Sequence, residues 1–232
     1  MLGWVRYEET GAPRTARVML AGAAVLCVRV PRGTGLRALF AARRAAALLV
    51  KHRVRLAVFP EDYPCPDAFL RRGIRPPDTA QLNRVCAAQI ALYALRERGV
   101  AAENATVALV SERVCGELHA AAQTLARTVR YLTLRTPDAD ALALTLRREY
   151  GVAPRIAQEG DALRADAALS FDTAAEGCLD LSDSRPAAYG AEIGGAVCTD
   201  APLLAALLAA DALKAEQIRL ERLILPAAAN FS

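Results

Sequence analysis

The sequence predicts an α/β fold: a parallel sheet flanked by helices in the C-terminal half, preceded by a smaller α/β domain. Short apolar, β-branched segments alternate with helical segments through the C-terminal half, and this alternation is typical of a parallel sheet covered by helices. The chain has 232 residues, 54% of them apolar, which suffices for one large or two small domains with their own cores. Its 14 glycines and 12 prolines are an ordinary share and exclude a collagen-like or low-complexity chain.

In the first half, residues 17–31 are predicted to form two short strands or one bent strand, broken near Gly22. Residues 36–51 are predicted to form a helix, because apolar side chains recur there at helical spacing. A short strand at 54–59 and a proline-rich loop follow. Asp67 is expected to cap a short helix after that loop.

A helix over about residues 79–98 is the clearest in the sequence, and Gly99 stands where a C-terminal glycine belongs. This boundary predicts a domain junction near residue 100. The expected division is an N-terminal α/β domain at 1–99 and a second domain, with a C-terminal helix and tail, at 100–232.

The second half is predicted to alternate strands and helices regularly. The expected strands are 106–110, 129–134, 152–157, 165–171 and 178–181, and the expected helices are 112–126, 137–150 and 202–213, followed by an apolar tail at 218–225.

Charge is unevenly distributed, although the net charge is only +4. Residues 1–100 carry 17 Arg and Lys against 7 Asp and Glu, and the remainder carries 12 against 18. Arg37, Arg44 and Lys51 recur every seven residues on the predicted helix at 36–51. Such a face can dock an acidic or nucleic-acid partner, or it packs against the acidic half or faces water. Nucleic acid is the less expected partner, because aromatic interleaving and nucleic-acid motifs are absent.

The six cysteines form no C-x-x-C pair and the chain has two histidines, so zinc-type spacing is missing and no metal is predicted. No secretory leader and no apolar run long enough to span a bilayer is visible. These features predict a cytoplasmic protein with free thiols and no membrane partner.

The turn after the strand at 106–110 is the first candidate site. In a dinucleotide-binding fold this turn reads G-x-G-x-x-G, because glycines let a pyrophosphate approach the backbone at a helix N-terminus. The turn here reads SERVCG, from Ser111 to Gly116. Gly116 can still allow close packing of helix on strand, but Arg113 replaces the glycine that admits the phosphate and Glu112 adds a negative charge. The turn predicts a degenerate dinucleotide site, unless Arg113 swings to bind the phosphate.

The next strand ends in Arg135 and Thr136 where an acidic residue would favour NAD, and these two can receive a 2′-phosphate. The segment YLTLRTPDADALA at 131–143 resembles the NADP-binding domain of the shikimate dehydrogenase family, in which a strand ending in Asn-Arg-Thr precedes a helix with a similar Ala/Leu pattern. The segment ADAALSFDT at 165–173 is similar to that family's fourth strand, which leads to a nicotinamide-side loop.

The resemblance covers about residues 104–185 and implies a Rossmann-like domain with NADP as its cofactor. Under that interpretation Arg113, Arg135 and Thr136 hold phosphates, and the substrate sits in the cleft between the halves. That family binds and protonates its substrate with a Lys–Asp pair on the N-terminal domain. The only lysines here are Lys51 and Lys214, and neither stands in a matching motif.

Cys115 and His119 are four residues apart and can share a helix face. They are either a thiolate–imidazole pair at a helix N-terminus, with Glu112 nearby, or a core-facing cysteine and a partly buried histidine.

Several acidic residues also follow predicted strands. Glu61 and Asp62 lie where α/β folds place ligand-binding loops, but they are also typical turn acids among prolines. Asp172, Asp180 and Asp183 lie near strand ends and could support a metal, although nothing in the sequence fixes their mutual geometry.

The leading interpretation is a Rossmann-like protein that binds a small molecule or a protein partner, without redox catalysis and without a cofactor. One alternative is an NADP-dependent oxidoreductase resembling shikimate dehydrogenase, with Ser111, Arg113, Gly116, Arg135 and Thr136 at the cofactor. The other is a scaffold that docks an acidic or nucleic-acid partner through its basic N-terminal half. The oxidoreductase requires an open groove above the turn with Arg135 in it, whereas the leading interpretation requires that groove to be filled.

Overall fold

The computed structural model describes residues 1–8, 14–172, 174–182 and 187–223. It is a mixed α/β structure with parallel sheets flanked by helices. The strands are β1 (Leu2–Glu8), β2 (Arg14–Leu20), β3 (Ala23–Pro31), β4 (Ala57–Val58), β5 (Thr106–Val110), β6 (Tyr131–Arg135), β7 (Arg155–Ile156), β8 (Ala167–Ser170), β9 (Leu179–Asp180), β10 (Ala187–Ile193), β11 (Ala196–Cys198) and β12 (Arg219–Leu223). The helices are α1 (Gly35–Lys51), α2 (Asp67–Leu70), α3 (Ala80–Val85), α4 (Ala87–Glu97), α5 (Gly116–Ala126), α6 (Ala139–Tyr150) and α7 (Ala201–Ala209).

Contacts group the chain into two compact units. The first contains Met1–Thr79 and Gly190–Ile218, and the second contains Ala80–Tyr189 and Arg219–Ser232. The chain changes unit inside β10 and again just before β12. The domain division at 1–99 and 100–232 stays a prediction.

The first unit contains a four-stranded sheet in the order β2-β3-β1-β4. β1 pairs in parallel with both β3 and β4, while β2 and β3 form an antiparallel hairpin. Ala21 and Gly22, with φ of 48° and 81°, make the two-residue turn of this hairpin, because such turns need positive φ at both positions. The predicted break near Gly22 is confirmed, although the first strand begins at Arg14 instead of residue 17.

β1 lies between β3 and β4 and was not predicted from the sequence. Gly3 interrupts the apolar pattern of β1 because there is no room for a side chain at this position. A Cβ on Gly3 would lie 2.9 Å from Val54 Cγ1 and 3.0 Å from the Ala57 Cβ. Real Cβ contacts are rarely this short, so the close packing of β1 here requires a residue without a side chain.

The core of the first unit packs α1 and the loop after β4 against the sheet. Phe69 is fully buried there, and its ring meets those of Phe59 and Tyr63 edge to face, with centroids 4.9 and 5.7 Å apart. Such geometry adds to the stabilisation from burial. The buried members of this core are Val5, Leu26, Val28, Val30, Ala42, Ala45, Ala46, Leu49, Val54, Ala57, Phe69 and Ile74.

Several predicted elements in residues 36–98 change in extent. The helix at 36–51 is confirmed as α1, but the strand at 54–59 shrinks to the two residues of β4. The helix at 79–98 is two helices, α3 and α4, separated at Cys86. Asp67 is the first residue of α2 and provides no side-chain cap.

The second unit contains a five-stranded parallel sheet in the order β7-β6-β5-β8-β9. Numbered from β5, this order is 3-2-1-4-5, the order of the first five strands of a doubly wound dinucleotide-binding fold. α4 packs against β8, α5 against β5 and β6, and α6 against β7. β5 is buried along most of its length, as expected for a central strand. The predicted parallel sheet is therefore confirmed.

Element bounds in the second half also differ from the predictions. β5 has the predicted bounds, and α5 begins at Gly116 instead of residue 112. The remaining predicted strands and helices are confirmed with ends shifted or shortened. The antiparallel hairpin of β10 and β11 was not predicted. The predicted tail at 218–225 contains β12, and its last two residues lie outside the described residues.

No helix in the described part of the chain has both the length and the apolar character needed to cross a membrane. All six cysteines are free thiols, and Cys27 and Cys86 are buried.

A buried hydrogen-bonded pair ties α3 to the chain that follows β9. Asn83 is 2% exposed and donates from Nδ2 to the Leu181 carbonyl at 3.3 Å. The Tyr189 hydroxyl, on a side chain that is 2% exposed, donates to Asn83 Oδ1. Burial raises the pKa of Tyr189 above its ordinary value near 10, because a phenolate is poorly solvated there.

Replacing Tyr189 by phenylalanine is expected to lower the free energy of unfolding by about 1–2 kcal/mol near pH 8, since a buried hydrogen bond is lost. The raised pKa makes the wild-type contribution pH-dependent: above about pH 10 the unfolded chain ionises this tyrosine while the folded chain does not. The wild type therefore loses about 1.4 kcal/mol per pH unit that the variant does not lose. Urea unfolding of both proteins should show a smaller difference in unfolding free energy between wild type and variant at pH 11 than at pH 8. A difference that stays constant would contradict this assignment.

Candidate functional site at the carboxyl edge of the parallel sheet

A cavity of about 690 Å³ lies at the carboxyl edge of the second unit's sheet. The chain segments that follow β5, β6 and β7 form most of its wall, and this edge is where doubly wound folds bind ligands. Its described lining residues are Val110, Ser111, Glu112, Arg135, Thr136, Pro137, Ile156, Ala157, Gln158, Glu159, Ala175 and Glu176.

The turn after β5 is closed by a carboxylate, Asp172, from the chain that follows the neighbouring strand β8. Asp172 Oδ2 accepts the Glu112 amide at 3.0 Å and lies 2.5 Å from Ser111 Oγ. Ser111 Oγ also lies 2.6 Å from the Arg113 carbonyl, so its single proton is donated to one of the two oxygens at a time. A carboxylate that accepts a backbone N–H and a hydroxyl satisfies groups which, in a dinucleotide-binding turn, would face an anion.

The remaining turn residues lie away from the cavity. Arg113 is exposed and is not among the described lining residues. Gly116 begins α5, and a Cβ built on it would meet nothing within 4 Å. The expectation that Gly116 allows close packing of helix on strand is therefore wrong.

Arg135 and Thr136, at the end of β6, both line the cavity. Thr136 is 8% exposed, and its hydroxyl oxygen has no hydrogen-bond partner among the described residues. Burial raises the pKa of Cys178, and the positive charge of Arg135 partly offsets that effect. The Arg135 guanidinium is therefore close enough to Cys178, which directly precedes β9, to interact with it electrostatically. The structure brings Ser111, Arg135 and Thr136 to one cavity.

Acidic side chains outnumber basic ones around this cavity. Glu112, Glu159 and Glu176 line it together with Arg135, and Asp172 lies beside it. Carboxylates around a cavity raise the free energy of a bound phosphate and lower that of a cation. The wall therefore favours an uncharged or cationic ligand over a multiply charged anion.

The thiolate–imidazole alternative for Cys115 and His119 is not supported. Burial raises the pKa of the Cys115 thiol, with the charges of Glu117 and Asp172 adding to that effect. A thiol with a raised pKa stays protonated near neutral pH and is a weak nucleophile. Cys115 instead precedes α5, where its carbonyl accepts the His119 amide at 3.0 Å.

Two of the other candidate acids, Asp62 and Asp180, are engaged with residues outside the cavity. Asp62 forms an exposed ion pair with Arg32 at 3.3 Å, and its carbonyl accepts the Tyr7 hydroxyl. Asp180 Oδ1 accepts both the amide and the hydroxyl of Ser182. Asp183 lies outside the described residues. Within residues 1–8, 14–172, 174–182 and 187–223, no group of three or more metal-ligating side chains is arranged to hold a metal ion.

Asp172 is the residue whose contact the sequence did not reveal, although a signal existed. β5 and β8 pair in parallel, with Val110 opposite Ser170. The residues just after each strand must therefore be neighbours at the same edge. Ser111 follows β5 and Asp172 follows β8 by two residues, so their proximity could have been proposed from strand adjacency.

The fold and the cavity together define an α/β protein with a Rossmann-like parallel sheet and a ligand-sized cavity at its carboxyl edge. No model of a known protein family matches the chain, and no curated protein matches its sequence. Among solved structures, the chain is similar to L-tryptophan dehydrogenase from Nostoc punctiforme, at 11% identity and a TM-score of 0.32. The match covers 64% of this chain and 44% of that one, so the chain spans less than half of that protein's length. Similarity at this level assigns no ligand or activity.

Proposed function

We propose that the second unit is a ligand-binding Rossmann-like module without redox catalysis, whose own Asp172 carboxylate takes the place of a dinucleotide's phosphate. The observation that carries this proposal is the pair of contacts from Asp172 Oδ2 to the Glu112 amide and Ser111 hydroxyl. A pyrophosphate at this turn would have to displace a carboxylate that is already hydrogen-bonded there. It would also lie among like charges, which raises its free energy further.

The cavity itself is open and Arg135 lines it, so the expectation that the groove is filled is wrong. The proposed ligand therefore binds beside the turn that Asp172 closes. Thr136 and Arg135 supply polar groups on one wall, and Glu112, Glu159 and Glu176 supply acceptors on the others. These groups fit the hydroxyl, amide or amine groups of a phosphate-free small molecule. A protein partner that inserts one side chain into the cavity fits the same chemistry.

The alternative is an NADP-dependent oxidoreductase, the activity implied by the resemblance to shikimate dehydrogenase. Its support is that Arg135 and Thr136 line an open cavity, where a 2′-phosphate would need them. The turn does not fit the pyrophosphate of the cofactor. Arg113 is not among the described residues that line the cavity, and the Glu112 amide is already hydrogen-bonded to Asp172. We therefore derive no hydride-transfer step.

A scaffold role for the basic N-terminal half is supported by one observation. Arg37, Arg44 and Lys51 are all exposed on α1, and no ion pair of these three is found within the part of the chain that the structure describes. A free basic helix face of this kind can attract an acidic partner.

Titration of the full chain with NADPH, NADP, NADH and NAD, followed by calorimetry, tests the leading proposal. The wild type and an Arg135→Ala variant are expected to give the same curves with all four compounds, because none binds at the carboxyl edge. Micromolar binding that prefers the 2′-phosphorylated forms and weakens in Arg135→Ala would overturn the proposal and favour the oxidoreductase. An Arg148→Ala variant, which removes an exposed arginine of α6 outside the cavity lining, controls for a general change in charge.

A further inference from the structure

A second cavity lies at the opposite, amino edge of the same sheet. It has a volume of about 480 Å³ and is bounded by the first residues of β5 and β6 and by the chain between α6 and β7. Its described lining residues are Thr106, Arg130, Tyr131, Leu132, Thr133, Gly151, Val152, Ala153, Arg155 and Arg164.

Three arginines line this cavity, and none of its described lining residues is acidic. The Arg130 guanidinium lies 5.6 Å from the centre of the Tyr131 ring. Arg155 makes one exposed ion pair, 4.0 Å from Asp161 Oδ2, and such pairs contribute little. For Arg164 no ion pair is found among the residues that the structure describes. The positive charge of the cavity is therefore largely uncompensated.

One acidic residue close to Thr106, Asp166, is already engaged with the backbone. Asp166 Oδ2 accepts the Thr106 amide at 2.7 Å, and its carbonyl accepts Arg98 Nη1 at 2.6 Å. This carboxylate satisfies the first amide of β5 and does not line the cavity. The two edges of the sheet therefore differ in sign, with glutamates around the carboxyl-edge cavity and arginines around this one.

We propose that the amino-edge cavity binds a phosphate-bearing small molecule. Guanidinium groups bind phosphate oxygens through pairs of N–H donors and keep their charge at any physiological pH. Thr106 and Thr133 line the same cavity and add hydroxyl groups to its wall. This site is independent of the proposed function, because it shares no lining residue with the carboxyl-edge cavity.

Calorimetric titration of the full chain with inorganic pyrophosphate tests this proposal. One molecule is expected to bind per chain, and an Arg130→Gln, Arg164→Gln double variant should bind at least about tenfold more weakly, because two charge-assisted contacts are lost. An Arg148→Gln variant should match the wild type, since that exposed arginine lies outside the lining. Binding should also weaken as salt rises.

Each other outcome overturns the proposal. Absence of binding at millimolar pyrophosphate would show that the amino-edge cavity is not a phosphate-binding site. Equal weakening in the double variant and in Arg148→Gln indicates diffuse attraction to a basic surface. Weakening in Arg135→Gln but not in the double variant places the anion at the carboxyl edge, which would contradict the proposed function as well. Far-ultraviolet circular dichroism of each variant verifies that the substitutions leave the fold intact.

Discussion

Replacing Asp172 by alanine is expected to lower the free energy of unfolding by about 1.5–3 kcal/mol. The carboxylate accepts the Glu112 amide and the Ser111 hydroxyl, and hydrogen bonds to charged acceptors contribute about this much. Ser111 is 6% exposed, so its hydroxyl loses an acceptor that water does not easily replace. The Arg113 carbonyl, 2.6 Å away, remains as an acceptor and limits the loss. Urea unfolding followed by circular dichroism measures the change.

The matched control for this variant is Asp180→Ala. Asp180 ends β9 of the same sheet, and like Asp172 its carboxylate accepts an amide and a hydroxyl, both from Ser182 two residues along the chain. Those contacts are local and exposed, so their loss is expected to cost less than about 1 kcal/mol. Equal losses in the two variants would show that Asp172 has no special role in closing the turn.

Replacing Phe69 by alanine is expected to destabilise the first unit by about 3–5 kcal/mol. The ring is fully buried between the sheet and the loop after β4 and meets Phe59 and Tyr63 edge to face. Its removal leaves a cavity as well as losing the transfer free energy of the ring. Urea unfolding measures this loss, and an unchanged dependence of the unfolding free energy on urea concentration shows that the unfolded state is not altered.

Phe40→Ala is the control for the Phe69 variant. Phe40 lies on α1, in the same unit, and is 64% exposed. The same change there should alter stability by no more than about 0.5 kcal/mol, because an exposed ring contributes little burial and alanine favours a helix. A Phe40→Ala loss as large as that of Phe69→Ala would mean that the α1 face is covered in solution.

The local sequence pattern is sufficient to predict those elements whose structure depends on a single property of nearby residues. β5 combines Thr106 with four apolar residues at 107–110 and has the predicted bounds. Gly151, predicted to follow a helix, ends α6 with a φ of 69°, a conformation that glycine adopts without strain. Parallel pairing followed from the alternation of strands and helices.

Other elements depend on contacts between distant residues, which local pattern does not contain. β1 is stabilised by pairing with both β3 and β4 and contains Gly3 and Arg6, which interrupt its apolar pattern. β10 and β11 pair with each other around a turn at Gly194 and Gly195, and β11 is only three residues long. The break at Cys86 between α3 and α4 has no proline or glycine to announce it.

The candidate site shows the same division. The sequence places Ser111, Arg113, Gly116, Arg135 and Thr136 together at a cofactor. Of these five residues, Ser111, Arg135 and Thr136 line one cavity, and Arg113 and Gly116 do not. The sequence also shows that Ser111 and Arg113 replace the first two glycines of the phosphate turn. It does not show which group closes the turn, because Asp172 lies 61 residues from Ser111 and its place near a strand end suggests only a metal ligand.

The central claim is that the Asp172 carboxylate occupies the anion position of the turn. The most direct test follows the Glu112 amide by two-dimensional ¹⁵N–¹H magnetic resonance during titration with pyrophosphate. In the wild type the resonance of this amide is expected not to shift, because the amide is hydrogen-bonded to Asp172. Resonances of amides at the amino edge can shift at the same time. In Asp172→Ala the same amide should shift with added pyrophosphate. A wild-type Glu112 amide that shifts and saturates as the variant's does would contradict the claim.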